Sequence, residues 1–257
     1  MLALTGEADQ ELVLRLMTRE PWRSHGRALT TRESHIQRML ASTPVPAPRS
    51  LALDAEGLKC GHPAHLMSLV PGRVRKDCAD AASLGRLADG LVTIHAVAPT
   101  IDVRDHQSWA FEAKYAAPPW AGDPALWDDA FQLLRSEPPH YQPCFIHRDF
   151  QPRNVLWSEG RVSGVVDWVE TSIGPAWLDV AHCCTAIAIS HGTEPADAFA
   201  AAYVARAGRA PQPYFDVMDV IGHLPLPGRD GLIQEPEEQS RLEQRLRVVL
   251  HRLDRRT

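Results

Sequence analysis

The segment Phe145-Ile146-His147-Arg148-Asp149-Phe150-Gln151-Pro152-Arg153-Asn154-Val155-Leu156-Trp157 carries the densest chemistry in the chain. A short apolar run leads into a loop with His, Asp and Asn at set offsets, and a second run leads into a hairpin whose far arm ends at Asp167. Phosphoryl transfer requires a protein to orient a nucleophilic hydroxyl and to neutralise developing charge with a divalent cation. A carboxylate at the loop apex, an Asn five residues on and a second carboxylate at the end of the next strand meet both demands. Asp149 would orient the substrate hydroxyl or accept its proton. Asn154 and Asp167 would ligate Mg²⁺ through oxygen, the ligand atom that hard cation prefers. A lone His-x-Asp more often stabilises a turn, so Asn154 and Asp167 in register carry the argument.

Other chemistries find less support. No Gly-x-Ser-x-Gly and no Walker P-loop occurs, which removes the commonest hydrolase and P-loop alternatives. His182-Cys183-Cys184 suggests a metal site at first sight, but adjacent residues of a helix face different ways, and a core helix is the better reading. The loop matches the His-Arg-Asp-x-x-x-x-Asn spacing of protein kinases. Yet Asp167 is followed by Trp168-Val169 and no Ala-Pro-Glu comes after it, which argues against a protein kinase.

The elements that must position these residues change in kind along the chain. Leu12 to Met17 is a run of strand length with Arg15 at its centre. Thr30 and Thr31 can cap a helix through Leu40, which Pro44, Pro46 and Pro48 then stop. Ser50 to Asp54 and Ala64 to Val70 read as strands around a Glu56-Gly57 turn, and Pro71-Gly72 is a break. Ala79 to Val97 places Leu84, Leu87, Leu91 and Ile94 near one helical face. Ile101 to Trp120 is irregular, and Pro124 to Ser136 reads as a helix. Short strands follow at Cys144 to Ile146, Val155 to Trp157 and Val162 to Trp168. Ala176 to Ser190, Ala196 to Ala207 and Glu237 to Leu253 read as helices.

Composition bounds the function. At 257 residues, 44% hydrophobic and 23% charged, the chain can bury the core of one large domain or two lobes, and it is no disordered, collagen-like or disulfide-framework protein. A net charge of -5 leaves no basic surplus for a dedicated nucleic-acid binder. The charge is uneven: Gly72 to Gln239 holds 13 basic and 23 acidic residues, a surplus of ten acids that either attracts a cationic substrate or is a solvated surface. Arg241 to Arg256 is a basic tail, read as an amphipathic helix with a charged face. Five cysteines without a Cys-x-x-Cys pair suit reduced thiols and a cytoplasmic location. No apolar run reaches the roughly 18 to 20 residues of a membrane span, and Met1 to Gln10 lacks a signal-peptide pattern, so no membrane partner is expected.

The blocks His147 to Asn154, Gly164-Val165-Val166-Asp167-Trp168, Gly174-Pro175 and Asp179-Val180-Ala181-His182 stand in an order that resembles the aminoglycoside phosphotransferase and choline kinase-like family of small-molecule kinases. Upstream, Leu14-Arg15 resembles the strand position that usually carries Lys, and Arg32-Glu33 resembles the helix that supplies its Glu partner. His65-Leu66-Met67-Ser68-Leu69-Val70-Pro71-Gly72 resembles the hinge that holds adenine. The resemblance runs from about Leu12 to about Leu224. It implies an α+β, protein-kinase-like bilobal fold: a small β-rich N-lobe over 1–71, shortened at its start, and a larger, mainly α-helical C-lobe over 72–257. It also implies Asp149 as the catalytic aspartate, Asn154 and Asp167 as metal ligands, and the Ser68 carbonyl and Val70 amide as adenine contacts. Arg15 and Glu33 would serve the phosphates, with His147 and Asp179 supporting the loop. ATP and Mg²⁺ are the implied cofactors, and a small-molecule hydroxyl, on an aminoglycoside or other amino-alcohol, the implied acceptor.

The chain departs from this pattern in three places. Arg15 offers a planar fork where Lys offers a point charge; an exposed edge position is its other reading, and Glu33 then faces solvent. Gln151 and Arg153 stand where His and Gly are commoner, and Arg153 adds a positive charge near the phosphates. Kinases of this group place a Gly/Ser-rich hairpin before the Lys strand, but only 14 residues precede Arg15 and no Gly-x-Gly occurs, so Leu2-Ala3-Leu4 can at most be that hairpin's second arm. Either the start codon is set too far downstream, which 24 Arg against 3 Lys and a GC-rich coding sequence favour, or the phosphate roof is open. The expectation is an ATP-dependent phosphotransferase acting on a small-molecule hydroxyl. The alternative is a non-catalytic nucleotide-binding or regulatory, pseudokinase-like protein.

Overall fold

Glu11–Leu16 (β2), apolar except at Glu11 and Arg15, pairs on one side with Leu2–Thr5 (β1) and on the other with Ala64–Ser68 (β4), so the strand holding Arg15 lies inside its sheet. Ser50–Asp54 (β3) completes an antiparallel sheet of order β1-β2-β4-β3. The chain is a computed structural model that describes residues 1–6 and 9–254. Glu7, Ala8, Arg255 and Arg256 of the segments read above lie outside the described residues.

Helix α1 (Gly26–Leu40) covers this sheet, and it starts a turn earlier than the Thr30-Thr31 cap predicts. Thr30 lies inside the helix and donates its hydroxyl to the Gly26 carbonyl at 2.8 Å, the back-bond available to Thr in a helical turn. Gly26 is needed there: a Cβ would meet Met17 and Pro63 at 2.9 Å, so only glycine lets the first turn seat on the sheet's end. The buried face of α1 is partly polar, with Glu33, Ser34 and Gln37 among Ile36, Met39 and Leu40.

Beyond Ser68 the chain turns through Pro71 and Gly72, and Arg73–Val74 (β5) pairs with Val155–Ser158 (β7), itself hairpinned to Arg161–Val165 (β8). Glu159 and Gly160 at the tip both have positive φ, as a tight two-residue hairpin turn requires. Pro143–Ile146 (β6) pairs with Ser172–Pro175 (β9). The remainder is helical: α2 (Ala81–His95), α3 (Pro124–Arg135), α4 (Ala176–His191), α5 (Thr193–Ala207), α6 (Pro213–Gly222) and α7 (Pro236–Asp254). Asp80 caps α2 by accepting from the Ser83 amide at 2.9 Å. An N-terminal antiparallel sheet followed by a mainly helical part is the α+β architecture the sequence led us to expect.

Three elements escape the sequence reading, among them the two-residue β5. Helix α6 is buried on every side from Pro213 to Ile221, so it lacks the polar face that gives a helix its period, and β9 is four residues containing Gly-Pro. The charged face of α7 is also not wholly solvated. Arg245 is buried and pairs with Asp216 at 2.6 Å and Asp197 at 3.0 Å. Helix α4 is apolar almost all round and forms the centre of the helical core. No helix among the described residues is long and apolar enough to cross a membrane.

Candidate active site

Strand β6 delivers the chain into residues 147–154 and β7 takes it out, so the loop hangs between two short ladders. Its bend is held from below by Asp179, in the first turn of α4. One Asp179 oxygen accepts the His147 amide at 2.7 Å, and the other accepts the Arg148 amide at 2.6 Å. His95 of α2 lies 3.1 Å from the same carboxylate and is itself held by the Tyr203 hydroxyl at 2.7 Å. Burial pushes the Asp179 pKa up, but His95, His147 and the loop amide outweigh it, and the carboxyl is held below its ordinary value. These contacts hold Arg148 in the left-handed region, at φ 73°. His147 donates from Nε2 to the Val166 carbonyl at 3.0 Å and accepts the Asp149 amide on Nδ1 at 3.2 Å. The Val166 amide in turn donates to the Asn154 carbonyl at 2.9 Å, so the loop and the arm that ends at Asp167 are tied together.

Three side chains converge on the Asp149 carboxylate. Its Oδ1 accepts from His182 Nε2 at 2.9 Å and from Gln151 Nε2; its Oδ2 accepts from Asn154 Nδ2 at 2.9 Å. Asn154 Nδ2 also donates to the Asp149 carbonyl at 2.8 Å, which leaves the Asn154 side-chain carbonyl oxygen uncommitted. Arg153, mostly exposed, approaches Asp149 only to 3.9 Å. Burial raises the Asp149 pKa, but the hydrogen bond and charge of His182 prevail, with His147 and Arg153 adding to them, and hold it well below the carboxylate range.

The other side of the site is built from the sheet and α1. Arg15 and His65 are directly opposed on β2 and β4, so both side chains leave the same face, and Glu33 of α1 meets them there. Arg15 Nε lies 3.4 Å from Glu33 Oε2, and His65 Nδ1 lies 3.0 Å from the same oxygen. Arg15 Nη1 reaches across to Asp167 Oδ1 at 2.9 Å. Arg15 is therefore no exposed edge residue: its side chain is 11% exposed, and Glu33 is fully buried. Burial opposes the Arg15 charge, but Glu33 and Asp167 outweigh it and raise the pKa. Asp167 sits at φ 69°, in the left-handed region, where β8 gives way to a short turn.

Ser68 ends β4, two residues before Val70, where the expected strand ends. Its amide donates to the Arg49 carbonyl and its hydroxyl accepts from the Arg49 amide, both at 2.9 Å. Val70 packs against Gly164 of β8, where any Cβ would collide with the Val70 side chain. Glycine at 164 thus lets the segment around Val70 close onto the hairpin.

His182 is the residue that sequence reasoning set aside. It does lie on the buried helix α4, but its ring faces Asp149 on one side and Asp219 of α6 on the other, the latter at 3.0 Å from Nδ1. One signal was available: His182 follows Asp179 by three residues, so both share a helix face. Burial works against its charge, but Asp219 and Asp149 override this and push its pKa up to about 9. In the unfolded chain the imidazole titrates near about 6.5. The folded state therefore binds more protons between these two values, and stability falls as pH rises through that window. Thermal midpoints measured from pH 6 to 10 should fall further for the native protein than for His182→Gln; equal slopes would refute the linkage.

A model of the phosphotransferase enzyme family matches residues 2–214. Acyl-CoA dehydrogenase family member 10 of Mus musculus is 28% identical over 202 residues, covering 70% of this chain and only 18% of that protein. Among solved structures, a thermostable variant of aminoglycoside phosphotransferase APH(4)-Ia in a ternary complex with ADP and hygromycin B aligns over 97% of this chain and 92% of its own, with TM-score 0.64 and 15% identity. Macrolide 2'-phosphotransferase MphH from Brachybacterium faecium aligns over 86% and 80%, with TM-score 0.59 and 16% identity. At such identities the structural likeness speaks to the fold.

Proposed function

The chain belongs to the phosphotransferase enzyme family, and from that premise we propose that it moves the γ-phosphoryl group of ATP to a hydroxyl of a small molecule. The observation that carries this reading is the placement of Asp149, Asn154 and Asp167 on one loop and hairpin, with the Arg15–Glu33 pair reaching Asp167 from the sheet. The donor set suits Mg²⁺: the uncommitted carbonyl oxygen of Asn154 and the carboxylate of Asp167 are hard oxygen ligands. When bound, the cation would neutralise charge on the phosphate oxygens. Adenine would lie at the Ser68 carbonyl and Val70 amide, and Arg15 would place a fixed positive charge beside the phosphates.

The role of Asp149 follows from its hydrogen bonds. Oδ1 already takes two donors, while Oδ2 takes one and keeps a free lone pair, so Oδ2 is the atom that orients the acceptor hydroxyl and receives its proton. His147 and Asp179 serve the loop's backbone and stay off the reacting atoms. The acidic surplus between Gly72 and Gln239 favours a cationic acceptor such as an aminoglycoside or other amino-alcohol.

The test is a thermal-shift screen of aminoglycosides, other antibiotics and metabolic amino-alcohols with ATP and Mg²⁺, followed by phosphorus NMR of the hits. A phosphate monoester signal and stoichiometric ADP are expected for at least one hit. Nucleotide binding with no transfer to any stabilising acceptor would favour the non-catalytic alternative.

A further inference from the structure

Both nitrogens of one buried imidazole face carboxylates. His182 Nε2 lies 2.9 Å from Asp149 Oδ1 and Nδ1 lies 3.0 Å from Asp219 Oδ1, with the His182 side chain 5% exposed and that of Asp219 fully buried. A neutral imidazole has one N–H and one lone pair, so it can donate to only one of them and turns a lone pair on the other. Two ionised carboxylates at these distances therefore call for an imidazolium that donates to both. Gln151 Nε2 arrives at the same Asp149 oxygen, 3.1 Å from His182 Nε2, so two N–H groups converge on Oδ1 and leave Oδ2 to Asn154 and the acceptor.

We propose that His182, held as a cation by Asp219, is the positioning residue that locks the Asp149 carboxylate with Oδ2 directed to the acceptor hydroxyl. This rests on the phosphotransferase reading above and adds a residue to it. His182 acts through Asp149 and touches neither the nucleotide nor the metal ligands Asn154 and Asp167.

The surroundings fit a charged ring. On α6, Asp219 supplies a full counter-charge, and its Oδ2 has no hydrogen-bond partner. His223, just past the end of α6, stacks on His182 at 5.5 Å and donates from Nδ1 to the Asp219 carbonyl at 2.9 Å. Burial lowers the His223 pKa, and the His182 charge adds to this, so His223 is the neutral member of the pair. From the irregular segment, Trp109 meets His182 edge-on at 5.4 Å and stacks over the Arg148 guanidinium at 3.8 Å; Lys114 donates to the Gly222 carbonyl at 2.6 Å. Arg148 and Lys114 both interact with the Asp219 charge, which leaves Asp219 a shared anchor for three cations. The lift of the His182 pKa to about 9 agrees with the bridging geometry.

His182, Asp219 and His223 also stand close enough together to hold a metal ion. The proton is the better occupant, because both His182 nitrogens and His223 Nδ1 already have oxygen partners at 2.9–3.0 Å.

Loss of this proton removes a donor from one carboxylate and frees Asp149 to turn, so kcat should decline on an alkaline limb set by His182. The experiment begins with NMR titration of the His182 ring in the full-length protein, which needs no acceptor. The expected midpoint lies well above the ordinary histidine value and moves down by at least one pH unit in Asp219→Asn and in Asp149→Asn. With an acceptor in hand, His182→Gln should lower kcat about 10- to 100-fold with little change in the KM for ATP, the size of effect that misplacement of a reacting group produces. It should also abolish the alkaline limb, which Asp219→Asn shifts toward neutral pH. If His182→Gln fails to fold, the isosteric Asp219→Asn carries both readouts. A midpoint at or below the ordinary value, a limb that ignores Asp219→Asn, or stoichiometric metal lost in that variant overturns the proposal. Failure of the phosphotransferase reading looks different: no phosphoryl transfer to any acceptor, with the His182 titration as expected.

Discussion

Asp149→Asn should lower kcat for phosphoryl transfer by about 10²- to 10⁴-fold, the range that removal of a general base covers, while the KM for ATP changes little. Asn keeps the shape of Asp149 but not its chemistry. Three donors, from His182, Gln151 and Asn154, point at the two carboxylate oxygens. An amide offers them one oxygen and turns an NH₂ group toward the remaining donor. The acceptor hydroxyl then loses its proton acceptor, and the His182 imidazolium loses one of its two carboxylates. Coupled measurement of ADP release with a responsive acceptor reads the effect directly. Turnover equal to that of the native protein would remove Asp149 from the catalytic role and take the phosphotransferase mechanism with it.

Asp179→Asn should act chiefly on stability. The native carboxylate is completely buried and accepts from two successive loop amides and from His95. Its amide replacement has a single acceptor for these three donors, so at least one buried N–H is left unpaired beside a like donor. A buried donor left without its acceptor costs about 1–3 kcal/mol, and bonds to an ionised carboxylate lie at the upper end. For a chain of this length a loss of about 3 kcal/mol corresponds to a fall in the thermal midpoint of roughly 10 °C. The loop should also loosen, so residual activity at low temperature should decline with it. Differential scanning calorimetry checks the first effect, and a midpoint within about 2 °C of the native value would show that Asp179 does not brace the loop.

Much of the site was legible because its chemistry is local. His147, Asp149 and Asn154 lie on one loop, and Asp167 ends the adjoining hairpin, so residue spacing alone brings the four near one another once β7 and β8 pair. Helices α2, α3 and α7 were legible for a similar reason, since each keeps a polar face and therefore a period. Helix α6 kept none, and the contact of Asp219 with His182 was lost with it. Arg15 and Glu33 were visible as residue types, yet whether they met or faced solvent depended on which strand edge β2 offered and on the pairing of Arg15 with His65 across β4. His65 itself carried no sequence signal for its place under Glu33.

By itself, the sequence determined the order and kind of most of the elements, though not of β5, β9 or α6, and the acids and amides of the loop, because hydrophobic periods and loop spacings are short-range properties of the chain. The tertiary structure decided which charges face one another and in what protonation state. Glu33 is buried against Arg15 and His65, Arg245 is turned inward onto Asp216 and Asp197, and His182 is held between two carboxylates from a loop and a helix far away in sequence. The energy of a charge depends on its desolvation and on partners within a few ångströms, and both are set only when distant segments pack.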